Sequence, residues 1–300
     1  MNYKIIQNKN IWLTVSGLLF VVAVVALFFW GLKFGIDFTG GSQLEVEFLG
    51  NRPEVKAVEE KLADLNLGSL TVQPVEEKGM ILKFQDSTKE KRDETMKKLG
   101  ELSGGANKLE EARYDSVGPS IGAELKRRAV LAIFWVLLAI VIYISIAFNK
   151  ISKPIASWKY GLSALIAMFH DVIITIGVFA ILGKFFGIEI NTPFVAAVLT
   201  VLGYSVHDTI VVFDRIRENL PRSDDDFAGT VNTSLNQTLI RSLNTSLTVL
   251  LTLIAVIIFG GASIRTFALA LTVGIFIGTY SSIFVASPLL VLWEKVGRGK

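Results

Sequence analysis

The chain has 300 residues, 51% of them hydrophobic, with a mean hydropathy of +0.52 and a formal net charge of +3. With no cysteine, disulfides, thiolate metal sites and a cysteine nucleophile are excluded. The net charge is too small and too unevenly spread to indicate nucleic acid, and the long apolar runs make lipid, not water, the expected solvent for most of the chain.

The first run, 11–32, follows Lys4 and Lys9. It is longer than a signal-peptide core, and Trp30, Lys33 and Phe34 stand where small cleavage-site residues would be needed, so an uncleaved transmembrane helix is predicted. Residues 35–128 then have an ordinary soluble composition, holding 18 of the 27 acids and 15 of the 30 bases. Leu44, Val46 and Phe48 alternate with Gln43, Glu45 and Glu47, which predicts a strand with one buried face. Asn51 is a candidate cap for a helix with Pro53 in its first turn and Val55, Val58, Leu62 and Leu65 on one stripe, ending near Gly68. Strands are predicted at 70–75 and 80–85 around a turn at Lys78 and Gly79, and Ser87 with Glu90 forms a capping box for a charged helix to about Leu102. A last strand is expected at 112–117. The order strand, helix, strand, strand, helix, strand is that of an α+β ferredoxin-like domain.

Apolar runs resume at 129–148, 160–182, 193–213, 243–261 and 266–293, which makes six transmembrane helices with the first. With the N-terminus cytoplasmic, that side collects Lys4, Lys9, Lys150, Lys153, Lys159, Arg215, Arg217, Arg222, Arg241, Lys295, Arg298 and Lys300, against Lys184 and Arg265 in the short outer loops. The bias predicts cytoplasmic termini, a cytoplasmic 149–159 loop and an extracytoplasmic 35–128 domain. The expected division is 1–34, 35–128 and 129–300.

An ionisable residue inside a span is costly and marks a pathway, a relay or a packing pair. Both histidines precede an aspartate within predicted spans, as His170-Asp171 and His207-Asp208. At about 1.5 Å per residue, Asp171 lies roughly 18 Å from the cytoplasmic edge and Asp208 roughly 9 Å, so the two are not expected to be level. Asp208 can be read as a proton carrier, its charge disfavoured by burial and restored by a cation, or as a fixed salt bridge locking two helices. His170 and Asp171 are read as interhelical hydrogen-bonding groups, and His207 as either a relay or a neighbour's partner. No ligand-type spacing points to a metal.

Residues 223–242 suggest an amphipathic helix lying along the membrane, capped by Ser223, with Phe227, Val231, Leu235 and Leu239 at helical spacing. Arg241 lies off that stripe at the mouth of the fifth span. There it is the best-placed cation for Asp208, or an anchor to lipid phosphate. Asp224, Asp225 and Asp226 favour the helix N-terminus. Gly274 and Gly278 give a GxxxG packing cue in the last span.

The segments Gly35-Ile-Asp-Phe-Thr-Gly-Gly41, Val117-Gly-Pro-Ser-Ile-Gly122, Gly203 through Val-His-Asp-Thr to Asn219, Asn236-Gln-Thr-Leu-Ile-Arg241 and Gly278-Thr-Tyr-Ser-Ser282 closely resemble the SecF family of bacterial protein-export subunits. The resemblance spans nearly the whole chain. It singles out Asp37, Gly40, Gly41, Asp214 and Arg215 as motif residues. It implies a six-helix half of an RND-type transporter, a non-enzymatic role, no cofactor, and a SecD partner supplying the other half in the cytoplasmic membrane of a bacterium. It further implies that the pair uses the proton-motive force to help preproteins leave the SecYEG channel after SecA has driven them through. Counterparts of Asp208 and Arg241 belong to the proton pathway of that family, while His207 departs from its more usual asparagine. Competing readings are half of an RND-like small-molecule exporter, which would need a drug-sized apolar pocket in its outer domains, and a passive membrane scaffold.

Overall fold

A computed structural model describes residues 3–105, 108–147 and 156–298. Most of the 149–159 loop therefore lies outside the described residues. The chain divides into two compact units, Phe34–Val130 and the remainder.

In the smaller unit, helix α2 (Ile36–Thr39) leads into β1 (Gly41–Phe48), α3 (Val55–Leu62), β2 (Thr71–Val75), β3 (Gly79–Phe84), α4 (Lys89–Leu102) and β4 (Leu109–Val117). The strands form one sheet in the order β2-β3-β1-β4, every neighbouring pair antiparallel. This is the ferredoxin-like arrangement the alternation of the sequence predicts. The inward positions of β1, Leu44, Val46 and Phe48, are fully buried with Val58 and Leu62 of α3 and Leu99 of α4, so both helices cover one face of the sheet.

Helix starts differ from the sequence reading. Asn51 caps nothing. Helix α3 begins four residues later with Glu54 at its cap position, because Arg52 is drawn to the backbone carbonyls of Glu76 and Gly79 across the β2–β3 turn. Helix α4 starts at Lys89, and the Ser87 capping box is not used. Asp86 Oδ1 instead accepts from both the backbone N–H and the hydroxyl of Thr88 at 2.8 and 2.7 Å. Where α2 meets β1, Gly40 and Gly41 have φ of 75° and 122°. A Cβ on Gly40 would lie 2.8 Å from Pro119 Cα, and one on Gly41 2.6 Å from the carbonyl oxygen of Phe84. Conformation and close approach both require glycine there.

The larger unit contains α1 (Lys9–Trp30), the inner part of α5 (Pro119–Ala147), α6 (Ser157–Phe186), α7 (Thr192–Asn219), α8 (Phe227–Phe259), α9 (Ala262–Ser281) and α10 (Ser287–Arg298). Six helices in the described residues are long and apolar enough to cross a membrane, the last being α9 and α10 joined by a π-turn at Ser282–Ala286. Close backbone approaches set their register. A Cβ on Gly177 of α6 would strike Ala23 of α1 at 2.4 Å, and one on Gly274 of α9 would strike Val201 of α7 at 2.2 Å. One turn on, Gly278 faces Ser205, so the GxxxG spacing is the seam between α9 and α7.

Helix α8 is a single 33-residue helix, not an amphipathic segment followed by a span. Beyond Gly229 it contains no glycine or proline to stop propagation. Its N-cap is Asp226, whose side chain accepts from the N–H of Gly229 at 2.8 Å, in place of the expected Ser223. The stripe Phe227, Val231 and Leu235 is buried. On α8, Asn232 and Asn236 hold the N-terminal segment: Asn232 Oδ1 accepts from the N–H groups of Ile5 and Ile6 at 3.0 and 3.1 Å, Asn236 Oδ1 accepts from Tyr3 N–H at 2.7 Å, and both amides donate to the Tyr3 carbonyl.

Candidate functional site

Among the described residues three carboxylates of the larger unit are buried, Glu294 toward the end of α10 and Asp171 and Asp208 in the interior of α6 and α7. Asp208 on α7 is 9% exposed. Its Oδ1 accepts from the hydroxyl of Ser242 on α8 at 2.8 Å, and its Oδ2 accepts from Ser282 at the start of the π-turn. Asp171 on α6 is 0% exposed. Its Oδ1 meets His170 Nδ1 at 2.9 Å, and its Oδ2 accepts from Ser205 of α7 and Ser281 of α9 at 2.5 and 2.6 Å.

The adjacent serines 281 and 282 thus reach one carboxylate each. They can do so because the last transmembrane helix packs against α6 and α7 together. The π-turn beginning at Ser282 widens the helix there, and the Ser287 hydroxyl closes it on the Ser282 carbonyl at 3.0 Å. A second hydroxyl tier, Ser246 with Thr279 at 2.6 Å and with Tyr204 at 2.9 Å, lies one turn further along α8.

The carboxylates are closer to level than the expected depths suggest. Asp171 accepts from Ser205, which stands three residues before Asp208, so the two carboxylates are about 4.5 Å apart along α7 at about 1.5 Å per residue, against the roughly 9 Å expected.

His207 and Arg241 each stand one residue from a group of the Asp208 cluster and so at its level, but about 100° round their helices. Both side chains are exposed on the outside of this unit. Among the described residues, the Arg241 guanidinium forms no ion pair with Asp208. Arg241 instead heads a stripe with Thr245, Thr248 and Thr252, all exposed, whose hydroxyls bond the carbonyl four residues back. The exposed positions of the neighbouring α7 include Thr200, Gly203 and His207. These small and polar residues form a stripe flanked on α8 by the exposed apolar side chains of Ile240, Leu243, Leu247 and Leu251.

At the α7 to α8 connection, Arg215 donates to Gln237 Oε1 and Glu218 Oε2, both at 2.6 Å, while Asn219 donates to Gln237 and Ser234, each at 2.8 Å. Asp214 is exposed and lies 3.8 Å from Arg217. Asp37 sits half-buried in α2, remote in sequence from the carboxylates and part of the smaller unit. No group of His, Asp and Glu among the described residues could hold a metal. Sequence reasoning found both aspartates but missed Ser205, Ser242, Ser281 and Ser282. The available signal was two consecutive serines in an otherwise apolar span.

Two family models match the chain. The model for the SecD/SecF GG motif matches residues 25–48, and that for the C-terminal part of the protein export membrane proteins SecD/SecF matches 97–296. Protein translocase subunit SecF of Thermobaculum terrenum is 44% identical over 97% of this chain and 94% of the relative, and that of a Synechocystis species is 39% identical over 96% and 93%. Among solved structures, SecDF of Thermus thermophilus superposes with a TM-score of 0.83 at 35% identity, covering 98% of this chain. The chain spans 39% of that fused protein. By its two family models, its near full-length relatives and its fold, the chain belongs to the SecD/SecF family of protein-export membrane proteins, on its SecF side.

Proposed function

We propose that this chain is the SecF subunit of a bacterial Sec translocase, a transport subunit and not an enzyme. It joins a SecD half in the cytoplasmic membrane and uses the proton-motive force to promote late steps of preprotein movement through SecYEG after SecA has acted. The relatives support the partnership, since fused SecDF chains such as that of Brucella abortus contain a segment 39% identical to 89% of this one. The membrane-depth stripe of Arg241, Thr245, Thr248 and Thr252 beside Gly203 and His207 is the face offered to SecD. Small and hydroxylic residues permit close helix approach, and a charged or titratable side chain left facing lipid would be costly.

The observation that carries the proton reading is Asp208. It is a carboxylate inside a span, held by two serine hydroxyls and, among the described residues, by no lysine or arginine. Hydroxyls rotate between donating and accepting, so they can serve both the charged and the neutral carboxyl, whereas a locked salt bridge serves only one. Arg241 and His207, one residue aside, are positioned to join the cluster when the helices turn.

Asp208→Asn is expected to abolish gradient-dependent preprotein release from membrane vesicles while the chain still assembles with SecD, and full release by that variant would leave Asp208 as a hydrogen-bonding group that only ties α7 to Ser242 and Ser282. Arg241→Lys should be milder than Arg241→Met, since charge survives without the forked geometry. For the topology, the natural absence of cysteine makes single-cysteine labelling clean. Ser69→Cys is expected to react with an impermeant maleimide in intact spheroplasts. Reaction only after permeabilisation would place the smaller unit in the cytoplasm.

A further inference from the structure

Asp171 has no task in this reading of Asp208, yet it is the more deeply buried of the two carboxylates. A buried carboxylate retained only to lock helices gains little over an apolar contact, and among the described residues no lysine or arginine bonds Asp171. Helix α1, packed on α6, carries no titratable side chain between Lys9 and Lys33. Helix α7 presents Ser205, with Tyr204, His207 and Asp208 within a turn. The last span presents Ser281, with Tyr280 beside it and Arg265 and Glu294 only toward its ends. On α6 itself, His170 is the neighbour, with Lys159, Tyr160 and Lys184 near the helix ends. The charge of Asp171 is therefore balanced by an imidazole or by a proton, and in either case protons set the charge of the site.

His170 is equally committed to the interior. Its ring is stacked on Phe20 of α1, with centroids 6.3 Å apart and planes 9° apart, and its Nε2 is buried without a hydrogen-bond partner. The imidazole thus offers Asp171 one nitrogen and keeps the other unused inside the bundle.

The serines add the second element. Ser281 donates to Asp171 and also lies 3.1 Å from the carbonyl of Gly278. Ser282 donates to Asp208 and also lies 3.0 Å from the carbonyl of Thr279. Each hydroxyl has two acceptors, a carboxylate on a neighbouring helix and a carbonyl of its own helix. When a carboxyl takes a proton, its serine can turn its hydrogen to its own carbonyl and accept the new O–H.

From this geometry we infer that Asp171, paired with His170, is a second proton-carrying site of the subunit, coupled to Asp208 through the switching hydroxyls of Ser281 and Ser282. The inference rests on the reading of Asp208 as a carrier. In the coupled change one proton leaves Asp208 and one enters Asp171, each exchanged with water. Among the described residues the two serine hydroxyls share no hydrogen bond, so they relay no proton; each keeps its own hydrogen and turns between its carboxylate and its own carbonyl, and His170 keeps its own. Because the two serines are consecutive at the entrance to the π-turn, loading either carboxylate changes the hydrogen bonding of the same stretch of helix.

The test uses the full chain assembled with SecD and the Sec channel in vesicles, with Asp208→Asn as the internal standard. Asp171→Asn is expected to lose gradient-dependent release while still assembling, and Asp171→Glu to retain release with a displaced pH profile. Ser281→Ala leaves Asp171 with its other donors, so it should fold and should also displace the pH profile. Full release with an unchanged pH profile in Asp171→Asn, while Asp208→Asn is inactive, would overturn this inference and leave the carrier role of Asp208 standing. The same holds if Asp171→Asn fails to assemble and Ser281→Ala keeps the unaltered profile. Full release by Asp208→Asn would instead overturn the reading on which both rest.

Discussion

The ferredoxin-like unit and the helical bundle solve opposite packing problems. In the first, apolar side chains such as Leu44, Phe48 and Leu99 are buried and the charges sit outside in pairs, among them Arg92 with Glu111 at 2.6 Å and Lys61 with Glu101 at 2.8 Å. In the second, Phe28, Phe259 and Phe276 are exposed while Ser163, Ser234, Ser281, Ser282 and Ser287 are fully buried. Water drives the first core together by excluding apolar surface. Lipid supplies no such drive between helices, so close backbone approach and hydroxyl bonds fix the second. A domain of the first kind can lose its polar pairs and survive. A bundle of the second kind is sensitive at its glycines and serines.

The largest expected effect is all-or-none: residues 38–120 expressed alone should fold, because their core is drawn from their own strands and helices. A random-coil circular dichroism spectrum would break the comparison at its root. Within that fragment, Phe48→Ala should cost about 3–5 kcal/mol in denaturant unfolding, the usual penalty for emptying a buried aromatic site. In the bundle the corresponding lesion is an addition. Gly274→Ala places a methyl 2.2 Å from Val201 Cγ2, and overpacking of about 1–3 kcal/mol is expected, seen as a lowered melting temperature of the purified protein. Adding Val201→Ala should restore much of it, and no recovery would mean the seam lies elsewhere. Ser246→Ala removes the bonds to Thr279 and Tyr204 and should cost about 0.6 kcal/mol, at most about 1.7.

Smallest is the acid response of the smaller unit. Hydrogen bonds from Lys98 to Asp64, from Thr88 to Asp86 and from Lys61 to Glu101 hold these carboxyls below their usual range. Their contribution is present above the ordinary carboxylate pKa of about 4 and is lost as pH falls through the lower folded values. The fragment should therefore melt at progressively lower temperature below about pH 4, and Lys61→Met with Lys98→Met should flatten that slope. The groups are exposed, so the change is slight.

The contrast also explains what the sequence made legible. Period-2 alternation identified β1 residue by residue because one face meets water and one meets core. Asp171 and Asp208 stood out because ionisable residues are rare in apolar runs, and Gly274 and Gly278 because their spacing is helical. Helix starts were misplaced where a local bond competed, as with Arg52 and Asp86. The serine partners carried no periodic signal, since a hydroxyl in a span is compatible with lipid, backbone or carboxylate alike. The π-turn was invisible, because nothing in Ser-Ile-Phe-Val-Ala distinguishes an i to i+5 ring from an ordinary turn. Depth along a helix is legible in sequence but azimuth toward a partner is not, and Arg241, next to Ser242, stands about 100° round α8 from the hydroxyl that meets Asp208.

Helix α8 is longer than the layer it crosses: 33 residues measure about 50 Å against a hydrocarbon core of about 30 Å. Ser242, which holds Asp208, lies fifteen residues from the Phe227 end, so about 22 Å along the rod. A tilt of about 10° pivoting at that serine would sweep the far end through about 4 Å, and the start of the chain, tied on at Asn232 and Asn236, would ride with it. An event the size of one hydrogen bond at the fulcrum would arrive at the end of the lever as a displacement the size of a side chain.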